Sequence, residues 1–324
     1  MASIIFRLSI LLLLEKNKQL LKKATNISAV LFLCLTISNY SHADVCRKEI
    51  KRNNIALTGI LTVISGAIRS SARGDSYRFS DAARHFVWGS IAGYGFWKAK
   101  DRISEQKVRS GILYAQLASS VVENTVRNKD PLSYLSLKSS FLGLGITMPH
   151  SKEARSKLTV EFDPGKLFLA LLDSGEVQSY DFKNGILREN VKGRVIKGTD
   201  HAAVTNVMTG HVRVPEASKR LYLLWEHEAI HVVQTLQRDS LTNINFFEDN
   251  NEINTSNWKE SKFLDLEIKT NILSVPVDML TEDINSGGIP WEEIEAERMS
   301  RNGVYDNSID PCRPSPYTVN LFSF

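Results

Sequence analysis

Apolar residues recur at three- and four-residue intervals through the first part of the chain, the spacing that places them on one face of a helix. Ile55–Ile68 is apolar on most faces, Ser80–Trp97 is mixed, and Gly111–Val126 keeps the helical repeat, so the stretch from 44 to 150 is expected to be an α-helical region. Ser80-Asp81 ahead of Ala82–His85 predicts a helix start with its cap. These segments fall short of the about 18 uninterrupted apolar residues of a membrane span and are read as packed soluble helices. Beyond Pro149 the period shortens to two. Leu158–Phe162, Leu187–Lys197 and Thr209–Val214 have the β-branched alternation of strands, separated by Gly and Asp-Pro breaks. Ser218–Leu236 is a strong helix, and the Asn-rich stretch Asn243–Asn257 is expected to be a surface loop. Helices are expected again over Ser261–Leu273 and Pro290–Arg301, the second opened by Gly287-Gly288-Ile289-Pro290. The order implies an α+β protein: a helical region, then a second domain over 151–324.

The N-terminal residues add a destination. Lys16, Lys18, Lys22 and Lys23 flank the apolar run Ile27–Ile37, and Ser41-His42-Ala43 puts small residues where a signal peptidase reads. Residues 1–43 are therefore expected to be a secretory signal cleaved before Asp44, giving an exported protein, periplasmic or secreted. The alternative is an uncleaved membrane anchor, which the extra apolar patch Leu8–Leu14 supports and which would be the chain's one membrane contact. Removal of the signal takes Cys34 with it and leaves Cys46 and Cys312 near the two ends. In an oxidising compartment that pair is expected to form a disulfide; two separate buried thiols are the alternative. Composition narrows little else. Hydrophobic residues at 43% and charged residues at 23% suit a globular core, and a net charge of +4 without a basic, aromatic-interleaved stripe argues against a nucleic-acid partner.

The chemistry lies in the long helix, at His227-Glu228-Ala229-Ile230-His231. Residues four apart share a helical face, so His227 and His231 can point two imidazoles at one metal ion. Glu228 lies beside the first and can hold a water bound to that metal. Zn2+ brings the pKa of its water towards ~7 and polarises a carbonyl, while the carboxylate takes a proton and returns it to the leaving group. Apolar Leu224, Ile230 and Val233 imply that the helix is buried, and a metal offsets the cost of burying two histidines and a carboxylate there. The alternative is a partly exposed amphipathic helix with two ordinary histidines. A tetrahedral site needs a third protein ligand. A third histidine in the same stretch is ruled out, since Gln234 and Gln237 stand where its glycine and histidine would be. Downstream, Trp291–Arg298 offers Glu293 and Glu297 one turn apart, with Glu295 turned away from both.

These two segments resemble the gluzincin class of zinc metallopeptidases, in particular bacterial peptidase domains whose active-site helix reads close to HELxHVVQ. The resemblance covers about residues 195 to 301 and implies a zincin-like domain, a short mixed sheet with the active-site helix beneath it. It makes Glu293 the third metal ligand and Glu297 the partner of a ligand histidine, although that second position is usually aspartate. It also makes Thr209–Pro215 the edge strand beside which an extended peptide or protein substrate would lie; an ordinary strand entering a turn at Pro215 is the alternative. The spacing from His231 to Glu293 is long for the class and requires an insertion. The expected activity is zinc-dependent peptide hydrolysis. The alternative is a non-catalytic zincin-like module that binds a cell-envelope component, and a non-peptide amide is a third possibility.

Other polar residues receive ordinary readings. His201 and His211 are read as surface or core residues, with His211 a substrate contact if its strand is the edge. Tyr305 is a weak candidate for oxyanion stabilisation. Asp81, Arg84, His85 and Glu123 read as an N-cap with a surface ion pair, against a second site as the alternative.

Overall fold

The computed structural model describes residues 47–148, 156–173, 177–191, 204–206, 209–215, 221–242 and 264–268, together with Glu295, Ala296 and Met299. The N-terminal segment, Cys46, Cys312, His201, Glu293, Glu297, Tyr305, the Asn243–Asn257 stretch and the C-terminal tail lie outside the described residues.

Three helices come first: α1 (Arg47–Ala72), α2 (Phe79–Ser104) and α3 (Val108–Val126). Small residues set how closely they approach. A Cβ on Gly93 of α2 would meet the Asn54 carbonyl oxygen of α1 at 2.3 Å, and one on Gly89 would meet the Thr58 carbonyl at 2.9 Å. Gly111 of α3 lies as tightly on α2, where a Cβ would meet the Ala99 carbonyl at 2.6 Å. The contacts run in opposite directions along each pair, so neighbouring helices are antiparallel. The α2 start lies before the expected Ser80-Asp81 cap: the cap position is Arg78, and Asp81 sits in the first turn and accepts from the Arg78 backbone N–H at 2.8 Å.

The expected helical character ends at Val126. Strands β1 (Tyr134–Ser139) and β2 (Leu142–Thr147) follow, joined by a tight turn with Ser140 at φ 55°. They continue antiparallel into β3 (Lys157–Phe162), and β8 (Leu264–Ile268) adds to β3 in parallel. The boundary expected near 150 thus falls inside a sheet. The helix expected over 261–273 is also replaced, because Leu264, Leu266 and Ile268 alternate with acidic residues at period two and β3 supplies the hydrogen-bonding edge. Along the chain, β3 is followed by α4 (Pro164–Asp173), a helix not expected from the sequence.

The second sheet has the order β4-β5-β7-β6, built from β4 (Val177–Asp181), β5 (Arg188–Val191), β6 (Val204–Asn206) and β7 (His211–Pro215). The Thr209–Pro215 strand was expected at the edge and is interior: β7 pairs in parallel with β5 on one side and antiparallel with β6 on the other. The short β6 is the edge.

Helix α5 (Leu221–Thr242) packs on α3, α2, α1 and the β6–β7 side of this sheet. Phe96, Ile103, Ile112 and Val122 from the first helices, Val212 and Val214 from β7, Ile230 and Val233 from α5, and Ala296 and Met299 form one buried core. The architecture is mixed α+β, with helices followed by small sheets. Because the α1–α2 crossing has no room for a methyl group, Gly93→Ala should destabilise the protein by about 1–3 kcal/mol, read as a lower midpoint in urea unfolding with unchanged slope.

Candidate functional site

The face of α5 that carries Ala229, Ile230 and Val233 is in the core, and this fixes where its polar residues point. Glu228 and His231 are themselves buried, at 5% and 6% exposure, and His227 is half-buried. Each buried polar group requires partners, and these come from other elements. Thr205 of β6 donates its hydroxyl to Glu228 Oε2 at 2.6 Å and lies 3.1 Å from the Glu228 carbonyl oxygen. The outer strand of the described sheet therefore holds the carboxylate.

His227 and His231 do meet. Their rings are edge-to-face with centroids 4.8 Å apart, and the two Nε2 atoms lie 3.1 Å from each other. Nδ1 of His231 lies 2.8 Å from Gln234 Oε1, and Gln234 Nε2 donates to Glu295 Oε2 at 2.8 Å. A carboxylate only accepts, so the Gln234 amide presents its oxygen to His231. His231 then carries its proton on Nδ1 and has its lone pair on Nε2, the nitrogen that faces His227.

The fit to zinc can be tested on this geometry. Two imidazole nitrogens on one tetrahedral zinc, each ~2.0–2.1 Å from it, stand about 3.3 Å apart. The observed 3.1 Å is close to that, and the Nε2 lone pair of His231 is on the correct atom. Among the described residues no three His, Cys, Asp or Glu side chains converge on one point. The expected third ligand, Glu293, and its neighbour Glu297 lie outside them. The pair of histidines fits the ion, and the described residues supply two of the expected ligands.

Sequence reasoning missed what lies behind the histidines. Glu295, read only as turned away from Glu293 and Glu297, is 3% exposed and 2.6 Å from Lys100 Nζ of α2, itself 1% exposed. Asn54 of α1 donates to Glu295 Oε1 at 2.8 Å, and Lys100 donates to Asn54 Oδ1 at 2.9 Å. Lys100 also reaches Gln237 of α5 at 3.5 Å, whose amide donates to Thr58 at 2.8 Å. One signal was available: Lys100 interrupts the apolar face Phe96, Ala99, Ile103, where a lysine needs a buried partner.

Two further histidines are buried. His211 is a core residue, as one of its two readings had it: it is fully buried, with Nε2 3.0 Å from Glu189 Oε1 and Nδ1 beside the Thr209 hydroxyl, while Arg213 holds the other Glu189 oxygen at 2.9 Å. The N-cap and surface ion pair read at Asp81 and His85 are replaced: the cap position is Arg78, with Asp81 in the first turn, and His85 is not at the surface. His85 is buried against Gly66, bonded to Tyr77 Oη at 2.8 Å and Asn128 Oδ1 at 3.0 Å, and Glu123 pairs with Lys138.

No protein-family model, curated protein or solved structure gives a significant match to this chain.

Burial pushes the Glu295 carboxyl up, but the Lys100 charge and the hydrogen bonds from Gln234, Lys100 and Asn54 outweigh it and hold the group below the ordinary glutamate range. A folded pKa below the unfolded value stabilises the protein at higher pH, and that stabilisation is lost as pH falls through the folded pKa. Glu295→Gln should therefore cost about 3–5 kcal/mol at pH 7 by leaving Lys100 buried and unpaired. The gap between variant and wild-type melting temperatures should narrow as the pH is taken below ~4, the unfolded glutamate range.

Proposed function

We propose that this chain is a zinc-dependent hydrolase of zincin-like fold that cleaves peptide bonds. The reading is carried by one observation: two histidine Nε2 atoms 3.1 Å apart on α5, with Glu228 between them in sequence and fixed by Thr205. His227 and His231 are two of the zinc ligands, Glu293 is the third, and Glu297 supports a ligand histidine. When bound, zinc supplies Lewis-acid polarisation of the scissile carbonyl and acidifies water. Glu228 takes the proton from the attacking water and passes it to the departing amine. Thr205 occupies Glu228 Oε2, which leaves Oε1 as the oxygen that carries the proton. Export through the N-terminal segment and a Cys46–Cys312 bridge belong to the same reading.

Metal analysis of the purified chain should give one zinc per molecule. Glu228→Gln should retain that zinc and lower peptide hydrolysis by about 10²–10⁴-fold. His231→Ala should lose both. Hydrolysis unaffected by Glu228→Gln would sink the mechanism. Zinc binding and loss of structure on chelation, with no turnover of peptides or of cell-wall amides, would favour a binding module instead.

A further inference from the structure

The role of the N-terminal helices in this site is open if they only support the core. The geometry points to a more specific one: Lys100 of α2 acts through Glu295 and Gln234 to fix the tautomer of His231, so that the helical layer is a working part of the metal site. The inference rests on the zinc reading above for its purpose, though the tautomer itself does not depend on it.

Three steps carry it. Lys100 Nζ is a buried cation placed by two helices, 2.6 Å from Glu295 Oε2 and 2.9 Å from Asn54 Oδ1. The same Glu295 oxygen accepts the Gln234 amide N–H at 2.8 Å, which decides which way that amide faces. The amide oxygen in turn lies 2.8 Å from His231 Nδ1 and holds a proton there. A neutral imidazole has one proton to place, and only the Nδ1–H form leaves Nε2 free to bind a metal. Partners of this kind set ring orientation and ligand basicity, and their loss typically weakens metal binding about 10–100-fold. Here the partner is an amide, whose orientation needs a carboxylate to be defined, and the carboxylate needs the lysine. Lys100, Glu295 and Gln234 are thus positioning residues for His231, anchored in a layer that the motif itself does not contain.

The test reads the tautomer directly, by 15N NMR of histidine-labelled, metal-free full-length protein. Wild type should show His231 as the Nδ1–H form. Gln234→Leu removes the acceptor and one donor to Glu295 while leaving Lys100 and Asn54 on that carboxylate, and should give a mixture of tautomers. Lys100→Met alone would leave Glu295 uncompensated and risks unfolding. The double variant Lys100→Met/Glu295→Leu replaces both charges together, which is often tolerated, and should also give a mixture. In zinc titrations both variants should bind about 10–100-fold more weakly than wild type, at unchanged helical circular dichroism. An Nδ1–H tautomer that persists in Gln234→Leu and in the double variant overturns the inference. If the tautomer shifts as expected but the wild type binds no zinc, the zinc reading fails while the positioning role stands.

Discussion

The buried ion pair between Lys100 and Glu295 is the constraint on which the rest of the arrangement depends. Two charges at 1% and 3% exposure are costly to bury, and their attraction repays that cost only if the remaining donors and acceptors are also filled. Here they are filled by Asn54, Gln234 and Gln237, from α1 and α5. The requirement to satisfy one lysine therefore fixes the relative placement of two N-terminal helices, the histidine helix and the segment around Glu295. Apolar packing around Phe96, Ile230 and Ala296 is non-directional and would tolerate small slips. The polar cluster would not, since each hydrogen bond in it has one geometry.

The second fixed point is Thr205. Strand β6 has three residues and few contacts of its own, yet its one buried hydroxyl reaches both the carboxylate and the carbonyl of Glu228. The two sides of the motif are thus held by different means. A charged network lies behind His231, and a single neutral hydroxyl lies on Glu228. Such a division suits a site where the ligand must stay rigid and the carboxylate must exchange a proton.

Much of this was legible in the residues, and the limits have physical causes. Helical periodicity located α1, α2, α3 and α5, and i, i+4 geometry placed His227 against His231, because both depend on local spacing. β8 was misread as helix because a five-residue apolar alternation is ambiguous until its partner is known, and β3 lies about a hundred residues away. β7 was given an edge role because sequence cannot count neighbours on both sides of a strand. Helical spacing turns Glu295 away from Glu293 and Glu297 but gives it no partner, since a wheel shows direction and not what lies there. Gln234 was visible beside the motif, but not the Glu295 carboxylate that gives its amide a direction.

The parallel pairing of β8 with β3, and the dependence of His231 on Glu295, both join late residues to early ones. A chain emerging from a ribosome or a translocation channel releases α5 well before residue 295. During that interval the histidines exist without the groups that orient them. A chain cut short after the histidine helix would therefore carry His227 and His231 without the carboxylate that orients Gln234.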